Sequence, residues 1–316
     1  MRDFTKIIYE ELLNELRMAG YLFVGFEEYL NKIEEKKKTV ILRHDVDKSP
    51  RKALEMAEME KMLGIRGTYY FRIKKDVFPE DEIKRIAAMG HEIGYHYEDL
   101  DVARGDVGAA LASFKRNLER LREIVPVRTI CMHGSPMSRF DNRKMWQDHD
   151  YRRYGIIGEP YFDIDFSKIL YLTDTGRRWD GWRVSIRDKV GGQRSEVRGE
   201  GLGVRGERLG VRGEREEVRG EKTEVRSQKA EDREEAEDCK QKKDYKRNGI
   251  NRQPGLHSTH EIICALRNNQ LPEQIMLTIH PQRWSDEWGP WLWELVSQNV
   301  KNGVKYFIAK RVVSSE

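Results

Sequence analysis

In Thr39-Val40-Ile41-Leu42-Arg43-His44-Asp45-Val46-Asp47, an apolar run of strand-forming residues passes directly into charged ones and ends on two carboxylates. A short apolar run bounded by polar residues has the character of a strand buried on both faces of a parallel sheet. Asp45 and Asp47 stand two residues apart, so in extended backbone their side chains project from one face. Downstream, the pattern switches to a helical period over 50–63, with Pro50 at the first helical position and Ser49 as its N-cap.

The same alternation continues outward. Strands are expected at 67–73, 92–95, 127–132, 169–173 and 274–279, with helices at 80–89 and 107–125 between them. A regular β-α-β-α order predicts a parallel sheet covered by helices, either open or closed into a barrel. His96 and Glu98 follow the third strand of this series, His133 the fourth, Asp174 a later one and His280 the last. Strand C-termini of parallel α/β folds share one rim, where active sites gather. Polar residues from five distant segments are therefore expected to converge on one mouth.

Composition bounds the alternatives. Charged residues make up 35% of the chain and the mean hydropathy is −0.78, both unusual for a globular domain. The excess traces to 191–250, where Val197, Val204, Val211, Val218 and Val225 recur at seven-residue intervals within copies of Val-Arg-Gly-Glu. The period does not describe a coiled coil. Gly199, Gly206, Gly213 and Gly220 each cost a helix about 1 kcal/mol against alanine. The second apolar position also decays, from Leu202 and Leu209 to Glu216 and Thr223. With 16 Lys/Arg and 15 Asp/Glu among these residues, the block lacks the apolar surface to offset its chain entropy. It reads as a disordered, low-complexity insertion in a single domain formed by 1–190 and 251–316.

Basic and acidic residues nearly cancel, 58 against 54, which gives no case for nucleic acid or an anionic membrane as partner. Cys131, Cys239 and Cys264 are too few and too scattered for a disulfide framework or a cysteine zinc site. No apolar run approaches the roughly 18 residues of a membrane span. The amphipathic start, with Asp3, Glu10, Glu11 and Glu15, is unlike a secretory signal, so the expected location is cytoplasmic. No Gly-x-Gly-x-x-Gly follows a strand, and there is no Walker-type loop.

The rim residues suit one chemistry. If one carboxylate of the Asp45–Asp47 pair holds a divalent cation, the other is free to take a proton from water that the cation acidifies towards a pKa of about 7. His96 offers a nitrogen ligand suited to zinc foremost, and to cobalt, nickel or iron. His280 is placed to protonate a departing amine. Together these parts describe metal-assisted hydrolysis of an amide or ester.

These motifs resemble those of the polysaccharide deacetylases that share the NodB homology domain. Arg43-His44-Asp45-Val46-Asp47 is similar to the family's first motif, in its spaced Asp-x-Asp form. Gly90-His91-Glu92-Ile93-Gly94-Tyr95-His96 is similar to the second, and Met276-Leu277-Thr278-Ile279-His280 to the last. The resemblance implies a distorted (β/α) barrel of the NodB type and removal of an acyl group, usually acetyl, from an N-acetylated sugar, or cleavage of a related C–N bond. It implies Asp45 as base, Asp47 and His96 as metal ligands, and His280 as acid. Leu100 stands where the family carries a second histidine ligand, which leaves Glu98 or His133 as candidates for that place. The family's third motif supplies an arginine that orients the base; here Cys131-Met132-His133 stands in that region. Arg139 or the Thr173–Arg177 loop is then expected to do that work.

Asp174, Arg177 and Trp284 are further candidates for binding or supporting the substrate, because sugar rings stack on aromatic faces and guanidinium groups bind anions. The competing reading is a non-catalytic carbohydrate-binding or scaffold protein of the same fold, suggested by Leu100 and the altered third motif. Deleting 191–250 is expected to leave the thermal melting temperature and any hydrolytic activity unchanged. A deletion that unfolds the rest would contradict the passenger reading of the block.

Overall fold

The first predicted strand is the centre of the sheet. In the computed structural model, which describes residues 2–32, 37–74, 78–134, 138–179 and 256–313, β2 (Thr39–Val46) is buried along its whole length. It pairs in parallel with β3 (Thr68–Phe71), from Arg43↔Thr68 to Val46↔Phe71, and with β7 (Gln274–Ile279), from Thr39↔Gln274 to His44↔Ile279. β1 (Leu22–Val24), a short strand not anticipated from its sequence, pairs with the lower half of β2 on the edge that β3 takes above it. The sheet runs β5-β4-β3-β2-β7-β6, with β4 at Glu92–Tyr97, β5 at Ile130–Met132 and β6 at Leu170–Thr173. Every pairing is parallel, giving the expected α/β architecture as a curled, incompletely closed barrel. The described residues belong to one compact unit drawn from 1–193 and 255–316. The repeat block lies outside the described residues.

Helices cover the outer face. α1 (Lys6–Met18) and α8 (Thr259–Arg267) bring Leu12, Leu16, Ile262, Ile263 and Leu266 against Val40, Leu42, Ile275 and Leu277. α3 (Pro50–Met62), α4 (Glu80–Ala88) and α6 (Val107–Arg122) pack Ala53, Ile83, Ile86, Phe114 and Leu118 over β2 to β5. Their starts follow ordinary capping chemistry: Thr5 and Asp106 accept from the third N–H of α1 and α6, and Ser258 with Glu261 forms a capping box on α8. Ser49 departs from the expectation. It takes a left-handed backbone (φ 56, ψ 62) and caps nothing with its side chain. Three residues must carry the chain from the end of β2 into α3, and the reversal falls on Ser49 just before Pro50. The short α2 (Phe26–Lys32), α5 (Asp99–Val102) and α7 (Pro160–Asp163) and the terminal α9 (Trp288–Val313) complete the described elements. Among the described residues, no helix is long and apolar enough to cross a membrane.

Alternation along β2 separates two polar systems. Ile41 belongs to a cluster on the concave side with Tyr70 and Met276, whereas Val40 and Leu42 face the helices. Arg43 and Asp45 follow Ile41 inward, and His44 turns outward under α3. There its Nε2 lies 2.9 Å from Glu60 Oε1, and its ring stacks on Tyr69 with centroids 4.0 Å apart. Tyr9 and Tyr69 each donate a hydroxyl hydrogen bond to Glu60, at 2.6 and 2.9 Å. Burial works against the Glu60 carboxylate, but His44 and these donors outweigh it and hold its pKa below the ordinary glutamate value. A folded-state pKa below the unfolded one adds stability above the unfolded value, and that stability is lost as pH falls through the folded one. Glu60→Leu is therefore expected to cost about 3–5 kcal/mol at neutral pH, because it strands the partners of a buried charge. In urea melts the deficit should shrink as pH drops below about 4; a pH-independent deficit would contradict a charged Glu60.

Candidate active site

Asp45 is held before any substrate arrives. Arg43 Nε donates to its Oδ1 at 2.8 Å and Arg43 Nη2 to its Oδ2 at 2.6 Å, with the two side chains 1% and 6% exposed. Such a fork on a carboxylate is the geometry in which arginine binds most strongly. Burial pushes the Asp45 pKa up, but the guanidinium and His96 outweigh it and hold it well below the usual carboxylate range. The arginine that holds Asp45 stands on β2 itself, two residues before the carboxylate and on the same face. Arg139 is exposed. Arg177 is buried and donates to the carbonyls of Arg283, Trp291 and Asp3, away from Asp45. Arg177 therefore fastens the loop after β6 to the N-terminal segment.

Asp47 presents a different environment. Its Oδ1 is buried without a hydrogen-bond partner, yet His96 Nε2 lies 3.3 Å away and His133 Nε2 3.4 Å away. The other nitrogen of His96 is hydrogen-bonded, and that of His133 lies beside a carboxylate without a formed hydrogen bond. His96 Nδ1 is 2.9 Å from the Cys131 carbonyl, which accepts only, so Nδ1 carries a proton. Burial opposes a charged His96 ring, but Asp45 and Asp47 raise its pKa overall, and Nε2 would offer a lone pair only with a cation in place of its proton. His133 Nδ1 is 3.2 Å from Glu98 Oε2, which favours the same tautomer. Two imidazole Nε2 atoms and an orphaned carboxylate oxygen turned towards one another fit a divalent cation, with outer contacts of the kind that orient metal ligands. Burial works against ionised Asp47, but the three neighbouring imidazoles His96, His133 and His280 hold its pKa well below the usual range.

Two other ligand sets compete less well. Glu98, a candidate third ligand, lies across the His133 ring from Asp47 and is gripped by Arg72, whose Nε donates at 3.0 Å. Burial opposes its charge, but His133 and Arg72 bring its pKa down to about 2. Glu98 backs His133 and does not face the cation position. Asp45, His96 and Cys131 also bring one ligand atom each within 4.8 Å of one another. In that set, however, Arg43 already holds both Asp45 oxygens. Leu100, in place of the family's second histidine, is buried in the core beside α6. The imidazole near Asp47 that follows β4 and β5 is that of His133, just past β5.

The third group is a histidine with a carboxylate behind it. His280 Nδ1 lies 2.5 Å from Asp174 Oδ1, and the His280 backbone N–H donates to Asp174 Oδ2 at 2.8 Å. Lone pairs that close would repel, so Nδ1 carries the proton and Nε2 is the ring atom directed to Asp47 Oδ2, 4.0 Å away. Arg283 Nη1 and Trp284 Nε1 also donate to Asp174, at 2.7 and 2.8 Å. Asp174 is wholly buried; burial raises its pKa, and His280 and Arg283 more than reverse this. Trp284 is 1% exposed and packs against Phe4, Tyr9 and Trp179, so it offers no face to a sugar ring. It serves the site as a hydrogen-bond donor beneath the histidine. Arg43 and Arg283 were not read from sequence as site residues, although the same-face spacing of Arg43 and Asp45 is a usable signal. Replacing Arg43 with Gln is expected to cost about 3–5 kcal/mol by stranding a buried carboxylate. Adding Asp45→Asn should restore part of that loss, and a double mutant no more stable than Arg43→Gln would contradict the pairing.

No family model and no curated protein matches the chain. Among solved structures, the chain is similar to a mutant of the peptidoglycan deacetylase PdaC from Bacillus subtilis, with 12% identity and a TM-score of 0.33. That match covers 48% of this chain and 65% of the other. A family 4 carbohydrate esterase from Bacillus anthracis is similar at 18% identity with a TM-score of 0.29, over 46% of this chain and 66% of the other. The chain thus spans about two thirds of the length of each.

Proposed function

We propose that the chain is a divalent-metal-dependent hydrolase that removes an acyl group, acetyl foremost, from the nitrogen of an N-acylated sugar. The observation that carries this reading is the buried, unpartnered Asp47 Oδ1 flanked by His96 Nε2 and His133 Nε2, with Asp45 on one side and His280 on the other. Asp47, His96 and His133 would hold the cation. A divalent cation there supplies Lewis acidity, which acidifies water and polarises a carbonyl.

The protein's own groups then divide the proton transfers. Asp45, kept ionised by Arg43, would take the proton of the attacking water. His280 in its doubly protonated form gives its Nε2 proton to the departing nitrogen. Asp174 stabilises that imidazolium and fixes its ring, as carboxylates do behind catalytic histidines elsewhere. The sugar rests on the resemblance of 90–96 and 276–280 to the deacetylase motifs.

Asp45→Asn is expected to lower kcat by about 10²–10⁴-fold while zinc still binds in a calorimetric titration. Retained turnover would contradict the base assignment. His133→Ala is expected to abolish tight zinc binding, and Glu98→Gln to weaken it by about 10–100-fold. Wild-type zinc affinity in His133→Ala would remove His133 from the ligand set. A chain that binds zinc and sugar without turning over any acylated sugar would favour the binding-protein reading.

A further inference from the structure

Gln282 stands at the mouth of the site and takes no part in the reaction as described. It sits in the 3-10 turn Pro281–Arg283 that follows His280, closed by the hydrogen bond from Arg283 N–H to the His280 carbonyl at 2.9 Å. Its Nε2 donates to Asp47 Oδ2 at 3.4 Å, and the same oxygen is 4.0 Å from His280 Nε2. The amide of Gln282 and the ring of His280 thus address the same carboxylate oxygen. The amide orientation is chemically fixed, because a carboxylate accepts and only the NH₂ end of the amide can donate to it. That leaves Gln282 Oε1 as an acceptor, and it is buried with no partner among the described residues.

We propose that Gln282 is a specificity-determining residue that accepts a hydrogen bond from the N–H of the scissile amide and so selects N-acyl over O-acyl substrates. This rests on the hydrolase reading above and narrows it. A buried acceptor without a donor carries a desolvation cost. An N-acyl substrate with its nitrogen near His280 Nε2 brings one N–H to this position, whereas an ester brings an oxygen that cannot donate and leaves Oε1 unpaired. Sites built to hydrogen-bond a substrate N–H reject the analogue lacking it far more strongly than apolar pockets reject an extra methylene. The bond also turns the nitrogen lone pair towards the histidine, where the proton must arrive.

The test compares 4-nitroacetanilide with 4-nitrophenyl acetate, which share acyl group and ring and differ in N–H for O, on the zinc-loaded full chain. Q282M removes the acceptor at similar volume, and Q282E keeps an acceptor oxygen. Any effect that Q282M exerts through Asp47 acts on both substrates and cancels in the amide-to-ester ratio of kcat/KM. That ratio is expected to fall about ten-fold or more in Q282M and by less in Q282E. A Q282M ratio within about two-fold of wild type, or a wild type that cleaves the ester but no amide, overturns the assignment of Gln282 alone. A wild type that cleaves neither overturns the hydrolase reading and this inference with it.

Discussion

The whole site depends on keeping charge inside a buried parallel strand. β2 is flanked on both edges and covered on both faces, yet it carries Arg43, His44 and Asp45 in succession. Strand alternation resolves this by sending them to opposite faces. Arg43 and Asp45 neutralise one another on the concave side, and His44 meets Glu60 beneath α3. An unpaired charge at Arg43 or Asp45 would cost several kcal/mol. The pairs therefore pin the strand end from both sides, and Asp47 leaves it in a fixed direction.

The rim repeats one arrangement twice. Arg72 holds Glu98, which lies against Nδ1 of His133. Arg283 holds Asp174, which lies against Nδ1 of His280. In each case an arginine backs a carboxylate that backs an imidazole, and the free Nε2 turns to Asp47. The difference between the two histidines is one of distance: His133 Nε2 approaches Asp47 at 3.4 Å, His280 Nε2 at 4.0 Å. The two rings also address different oxygens of that carboxylate, Oδ1 for His133 and Oδ2 for His280.

Much of this was legible in the sequence because parallel α/β topology turns strand order into position. Asp45, Asp47, His96, His133, Asp174 and His280 each follow or end a strand whose apolar run is plain, and the structure brings all six to one rim. That His133 and not Glu98 faces Asp47 was not legible, since it turns on which side of one imidazole ring a carboxylate falls. Trp284 and Arg177 carry the composition of a sugar site but are buried against the N-terminal segment, a contact across nearly the full chain that local pattern does not encode. Ser49 looked like a cap, but the tight passage from β2 to α3 imposes a left-handed backbone there. β1 is three residues long, too short for any period to announce it.

Zinc-edge X-ray absorption on the zinc-loaded chain reads the proposed cation ligands Asp47, His96 and His133. Those ligands are expected to give a first shell of nitrogen and oxygen at about 2.0–2.2 Å, with outer-shell scattering from two imidazoles. Sulfur scattering at about 2.3 Å would place the metal against Cys131 and Asp45 instead, and a single imidazole would return Glu98 to the ligand set; either result would rule out the proposed site.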